Sequence, residues 1–168
     1  MPSLPHDDNW ELCPENAHPA ARALLTEAWY WDCTDEYSPF GNDTGADTLA
    51  FYSEQVANHP TLAGPEFLAE LLAGWEMDPH WEAVSNESVE AVLVNDPYGI
   101  ETANDAAIAV AFAQIFLFGR VEAASRDQAL RAISRASLPS LLARGAAPDE
   151  RVERLNVMRT HLQAAATH

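Results

Sequence analysis

Apolar residues recur at three- and four-residue spacings along most of this chain, which is the periodicity of an amphipathic α-helix. The clearest stripe comprises Phe67, Leu68, Leu71, Leu72 and Trp75. Proline, glycine and Asn residues separate such stretches and supply starts and stops for helices. The pattern predicts helices over residues 20–31, 42–58, 64–75, 104–118, 126–136 and 148–165, with a short helix opening at Pro139.

One segment, residues 79–97, does not fit this pattern clearly. Its run from Val89 to Val94 is rich in β-branched residues, which favour a strand, but Asn86 or Ser88 could also cap a short helix. We therefore predict an all-α fold, a single-domain bundle of about six to seven helices, with one short hairpin in residues 79–97 as the alternative. Residues 1–16 are predicted as an irregular N-terminal arm, and residues 17–168 as a single helical domain.

Charge is distributed unevenly along the 168 residues. Residues 1–118 hold 21 acidic residues and one arginine, whereas the last 50 residues hold 8 arginines and 5 acidic residues, for a total of −17 without any lysine. The acidic part repels phosphates and anionic lipids, so we expect no nucleic acid and no membrane as partners. A basic protein partner is compatible with it. An acidic surface that only maintains solubility is the alternative.

The densest polar cluster lies in residues 32–47. Its carboxylates and amides belong to Asp32, Asp35, Glu36, Asn42, Asp43 and Asp47. Oxygen ligands of this kind suit a hard cation, but the order of acids and glycine that a calcium loop requires is absent. Whether a metal binds is left open by the sequence, and a solvated loop that caps the next helix is the simpler interpretation. Arginines of the tail could also fold back onto the cluster.

Motifs for enzyme chemistry are absent from the sequence. It contains no zinc-protease or zinc-finger spacing, no nucleophile elbow and no phosphate-binding glycine loop, so we expect no cofactor and assign no catalytic residue. Cys13 and Cys33 are expected to be free thiols in a cytoplasmic protein, since the start of the chain lacks the pattern of a secretory signal. The longest apolar stretch, from Ala106 to Phe118, is expected to form a core helix.

These observations favour a non-enzymatic acidic protein that binds a basic protein partner, such as an antagonist of the immunity or antitoxin type. The predicted contact residues are Trp31, Asp32, Asp35, Glu36, Asp43 and Asp47. The alternative is a hydrolase that uses carboxylates or a divalent metal in the cluster at residues 32–47, and a scaffold role is a third hypothesis. If the arginines of the tail contact the cluster at residues 32–47, its acidic residues serve mainly to hold the fold together. If the cluster is open to solvent, its acidic residues are available to bind a basic partner.

Two sequence blocks carry a family resemblance. Residues 31–49, which include the run Phe40-Gly41-Asn42-Asp43, and residues 96–105, which begin Asp96-Pro97-Tyr98-Gly99, resemble the YfeS-like bacterial proteins and a related domain of unknown function. The resemblance covers roughly residues 10–145. It implies a bacterial cytoplasmic protein, and it carries over no activity and no catalytic residue.

Overall fold

A central apolar helix organises the fold in the computed structural model, which describes residues 12–168. The helices are α1 (Pro19–Leu24), α2 (Asp43–Asn58), α3 (Gly64–Gly74), α4 (Val89–Asn95), α5 (Gly99–Phe118), α6 (Ala123–Ala136), α7 (Pro139–Leu142) and α8 (Pro148–Ala164). The central helix is α5, which is buried over almost its whole length and packs against α1, α2, α3, α4 and α6, while α8 packs against α6 and α7. Three-residue or four-residue 3-10 turns cover Pro14–Asn16, Ala28–Trp31 and Trp81–Ala83.

The predicted all-α class is confirmed, with eight α-helices in the described residues against the six to seven expected. Residues 1–11 of the predicted N-terminal arm lie outside the described part of the chain. No strand is present in residues 12–168, and residues 79–97 contain a 3-10 turn and α4, so the hairpin alternative is wrong. Helix α4 forms because Val89, Val92 and Leu93 share one helical face toward the core, whereas Val94 is 83% exposed.

The start of α2 and the end of α5 are defined by Asn42 and Gly119. Asn42 caps α2 by accepting a hydrogen bond from the Gly45 amide at 2.8 Å. Gly119 ends α5 in the left-handed conformation, at φ 69°, which a residue without Cβ adopts at little cost. The start of α2 after Asn42 and the end of α5 before Gly119 were predicted from the sequence, whereas α5 begins at Gly99 and not at the predicted residue 104.

Helix α5 also contains a polar core contact. Gln114 interrupts its apolar run and is 1% exposed. Its amide nitrogen donates to the Tyr52 hydroxyl at 3.1 Å, and its carbonyl accepts from the Glu122 amide at 2.9 Å. Burial raises the pKa of Tyr52 to about 12. The side chain thereby ties α2 and the start of α6 to the central helix.

Among the described helices, Gly99–Phe118 is long and apolar enough to cross a membrane by length and composition. Its most apolar window has a mean hydropathy of 1.3, and 83% of that window is buried inside the protein. This burial is the arrangement expected of a core helix, as the sequence predicted for Ala106 to Phe118.

Candidate functional site

The acidic loop between the 3-10 turn at Ala28–Trp31 and α2 has internal order. Asp32 is exposed, and one of its carboxylate oxygens accepts hydrogen bonds from the Thr34 amide at 2.8 Å and the Thr34 hydroxyl at 2.7 Å. The hydroxyl bond, followed by the amide bond, lowers the pKa of Asp32. The carboxylate therefore stays charged at a defined place on the surface.

Asp35 faces the protein and pairs with the C-terminal helix. Its side chain is 12% exposed, and its Oδ2 accepts from Arg154 Nε at 3.2 Å and Nη2 at 3.1 Å. The same guanidinium donates to Glu150 at 2.9 Å and lies 4.9 Å from the centre of the Trp29 ring. The tail therefore folds back onto the acidic loop at this point, as one of the sequence hypotheses required.

Trp31 packs toward the interior. Its ring is partly buried against the core, and its centre lies 6.1 Å from that of Phe116. The neighbouring Trp29 stacks on Tyr30 at 3.9 Å and is also partly buried. Because the helix of residues 20–31 is broken after Leu24, both tryptophans can reach the core, which a continuous helix would not allow.

The remaining acids of the cluster are open to solvent. Asp32, Glu36, Asp43 and Asp47 are all exposed, and none forms an ion pair with any residue of the described chain. We call these four residues the open acids. The cluster at residues 32–47 is thus divided: Asp35 contributes to architecture, and the open acids remain available for contacts.

A cavity of about 350 Å³ lies beneath this loop, which we call the loop cavity. Its walls come from the acidic loop, from α5, from the turn that follows α7, and from α8. Both sequence blocks that carry the family resemblance reach it, through Glu36 and Asn42 from the first and Asp105 from the second. Residues distant in sequence therefore converge on one site, which is the usual arrangement of a ligand cavity.

Opposite charges face each other in the loop cavity. Arg151 Nη2 lies 3.9 Å from Asp105 Oδ1, and Arg144 donates to Glu101 at 3.0 Å and to the Pro97 carbonyl at 2.7 Å. Burial raises the pKa of Asp105 to about 6, against the opposing effect of Arg151 and with a smaller contribution from Glu101. The carboxyl therefore exchanges its proton close to neutral pH, which is uncommon away from functional sites.

Among the residues that line this cavity, sequence reasoning singled out only Glu36 and Asn42 of the acidic cluster. Asp105 appeared only as part of a resemblance block, and Arg144 and Arg151 only as members of a basic tail. Tyr37 has no distinctive sequence context, yet its hydroxyl accepts a hydrogen bond from the Ala147 amide at 3.0 Å. The sequence feature that pointed to these contacts was the combination of an acidic block with an arginine-rich tail. This feature does not specify which arginine contacts which acidic residue.

A second polar contact lies deeper, between α5 and α6. Arg135 is 3% exposed, and its Nε donates to Asn104 Oδ1 at 3.0 Å. Its guanidinium lies 5.3 Å from the centre of the Trp81 ring, and burial lowers its pKa. Arg135 Nη2 and Asn104 Nδ2 are buried without a hydrogen-bond partner in the described structure. This contact explains why Asn104, beside Asp105, faces the core.

Metal ligands do not converge in the described part of the chain. No three His, Cys, Asp or Glu side chains within residues 12–168 are placed to hold an ion together. Cys13 and Cys33 are free, and Cys33 is exposed. The hydrolase alternative that uses residues 32–47 stays a prediction of the sequence.

Fold and site together define an all-α domain whose acidic loop and arginine-bearing C-terminal helix enclose a charged cavity. The chain is similar to the uncharacterized protein YfeS of Escherichia coli (strain K12), with 30% identity over 135 residues. The matched region is 79% of this chain and 55% of that protein, so the chain spans about half the length of its curated relative. No family model matches the chain, and no solved structure matches it.

Proposed function

We propose that this protein is a non-enzymatic binding protein of the YfeS-like bacterial family, and that its open acids receive a basic protein partner. An antagonist of the immunity or antitoxin type, acting in the cytoplasm, is the form of this function that the charge favours. The supporting observation is that four exposed carboxylates remain unpaired within the described chain, although the tail supplies arginines nearby. Exposed carboxylates without ion-pair partners attract a cationic partner and raise its association rate.

The predicted contact set changes in one respect under this proposal. Asp35 and Trp31 support the surface from below, because Asp35 is already paired with Arg154 and Trp31 packs near Phe116. Removing either residue would therefore alter the shape of the loop. Direct contacts to the partner are assigned to the open acids alone.

A charge-reversal experiment tests this assignment. The double variant Asp43→Lys/Asp47→Lys reverses two open acids of α2, and Glu66→Lys/Glu70→Lys is its matched control on α3. In both pairs the acids are exposed and four residues apart, and the first lies in the first helical turn. The net charge change and the effect on the helix dipole are therefore the same in the two variants.

The probe is a synthetic peptide of about ten residues rich in Arg and Lys, and its association rate is measured by stopped-flow fluorescence at low salt. We expect Asp43→Lys/Asp47→Lys to slow association about tenfold and the control about twofold or less, since steering depends on charge close to the docking site. Equal slowing by both variants would show that only the overall field acts, and it would overturn the proposal.

A further inference from the structure

The loop cavity contains an arginine whose donors are not used. The side chain of Arg151 is only 14% exposed, and its guanidinium donates no hydrogen bond to any residue of the described chain. Its nearest acidic atom is Asp105 Oδ1 at 3.9 Å, beyond hydrogen-bond distance. A guanidinium carries five N–H donors in a planar fork, and those of Arg151 are available to a ligand in the cavity.

Its neighbours are in a different situation. Arg154, on the same helix, donates to Asp35 and Glu150, and Arg144 donates to Glu101 and the Pro97 carbonyl. Both of these guanidinium groups already have acceptors inside the protein. Arg151 instead lies with its plane near Tyr37, 5.9 Å from the ring centre, and lines the cavity.

The cavity offers a further donor and an apolar wall. The Tyr37 hydroxyl oxygen accepts from the Ala147 amide, and its own proton is donated to no residue in the described range. Ile108, Leu155 and Met158 contribute hydrophobic lining. A volume of about 350 Å³ is at the lower end of the range for ligand sites. The fitting ligand is therefore small, partly apolar, and able to accept hydrogen bonds.

We propose that the loop cavity binds a small monocarboxylate, with its carboxylate on the Arg151 guanidinium and its apolar chain against Ile108, Leu155 and Met158. A carboxylate matches the guanidinium fork with two parallel hydrogen bonds. A monoanion suits the site better than a dianion, because Arg144 is already paired with Glu101 and the nearby carboxylates of Glu36 and Asp105 oppose any additional negative charge. A phosphate dianion would lack a second free cation. Glu36, one of the open acids, also lines this cavity, but the carboxylate contact with Arg151 does not require a bound protein partner.

The protonation state of Asp105 is expected to make carboxylate binding in the loop cavity depend on pH. When ionised, this carboxyl competes for Arg151 and repels a bound carboxylate, and its pKa of about 6 allows it to become neutral as the pH falls. The other charged groups that face it are Glu101 on the same helix, Arg151 on α8, and Glu36 and Arg144 across the cavity. Carboxylate affinity is therefore expected to be higher at pH 5.5 than at pH 7.5.

Isothermal titration calorimetry of the full chain with hexanoate tests the site, and hexylamine, with the same chain and the opposite charge, is the matched ligand control. We expect saturable one-to-one binding of hexanoate, weaker binding of hexylamine, and a loss of about tenfold or more in hexanoate affinity for Arg151→Met, which keeps the apolar stem. Arg131→Met, at an arginine that is 52% exposed, should leave the affinity unchanged.

A second variant distinguishes loss of the binding site from a general loss of folding. Ala146 is exposed at the cavity, so Ala146→Trp should obstruct it without removing any charged group. It should weaken hexanoate binding while the midpoint of urea unfolding stays near that of the wild type. Hexanoate binding that is no tighter than hexylamine binding, or that survives in both Arg151→Met and Ala146→Trp, would overturn the proposal. Inorganic phosphate binding more tightly than hexanoate would also overturn it.

Discussion

At the scale of single residues, four of the nine arginines make a stacked contact that a lysine would not reproduce. Four guanidinium groups lie over aromatic rings of the acidic part of the chain. The pairs are Arg154 with Trp29 at 4.9 Å, Arg135 with Trp81 at 5.3 Å, Arg144 with Tyr98 at 5.4 Å and Arg151 with Tyr37 at 5.9 Å. A planar guanidinium can stack on a ring and donate sideways to a carboxylate at the same time, which an ammonium cannot do.

Asp105 yields a prediction about stability and pH. Its pKa is raised to about 6 in the folded protein, above the value of an unfolded carboxyl, so the folded state binds the extra proton between these values. Stability from this residue is therefore present at low pH and is lost as the pH rises to about 6. Between pH 4 and pH 7, Asp105→Asn should gain on the order of 1 to 2 kcal/mol in unfolding free energy relative to the wild type.

Urea unfolding at a series of pH values measures this difference. The matched control is Asp47→Asn, at an exposed position of α2 where a charge is removed without any burial. A difference between Asp105→Asn and the wild type that stays constant across the range would contradict the prediction. Such a result would mean that Arg151 compensates fully for the burial of the carboxylate.

At the scale of elements, the Arg154–Asp35 pair holds α8 against the acidic loop, together with the contact of Arg151 with the Tyr37 ring. Both partners of the Arg154–Asp35 pair are largely buried, at 15% and 12% exposure, and the guanidinium also covers Trp29. Arg154→Ala would leave Asp35 without its cation and remove the contact with the ring. We expect it to lower the free energy of unfolding by about 2 kcal/mol, in the range seen when a sheltered charge loses its partner.

Thermal or urea unfolding of Arg154→Ala checks this expectation beside Arg131→Ala. Arg131 is 52% exposed and lies 3.7 Å from Glu82, so its loss should cost about 0.5 kcal/mol or less. Equal effects for the two variants would show that the Arg154 contact does not anchor α8. A loss confined to Arg154→Ala would support its structural role.

The elements show what local sequence could and could not predict. The start of α2 follows from the Asn42 side-chain cap and the end of α5 from the left-handed backbone of Gly119, and both signals act within a few residues. The break after Leu24 was missed, because it is stabilised by burial of Tyr30 against Phe112 in a distant helix. The loop cavity was missed for the same reason: which arginine approaches Asp105 depends on how α8 packs, and periodicity contains no such information.

At the scale of the whole molecule, the charge asymmetry has two consequences that oppose each other. The tail neutralises part of the acidic body through contacts such as Arg154 with Asp35 and Arg144 with Glu101. The net charge of the protein is nevertheless −17, and the excess carboxylates repel one another across the surface of the folded chain. Because the excess of acids exceeds the number of pairs, long-range repulsion should dominate the response to salt.

This balance predicts that salt stabilises the protein near neutral pH. Raising KCl from about 0.01 M to about 0.1 M shortens the screening length from about 30 Å to about 10 Å, which weakens long-range repulsion more than the short ion pairs. At pH 7.5 we expect the free energy of unfolding to rise by on the order of 1 kcal/mol. Chloride is the suitable anion, since sulfate would strengthen apolar burial in addition.

The same titration at pH 4.5, close to the isoelectric point of 4.4, is the internal control. There the net charge is near zero, so the stabilisation by salt should largely disappear. Urea unfolding at both pH values measures the two responses. Destabilisation by KCl at pH 7.5 would contradict this prediction. It would mean that the attraction within the arginine–carboxylate ion pairs contributes more to stability than the repulsion among the excess carboxylates removes.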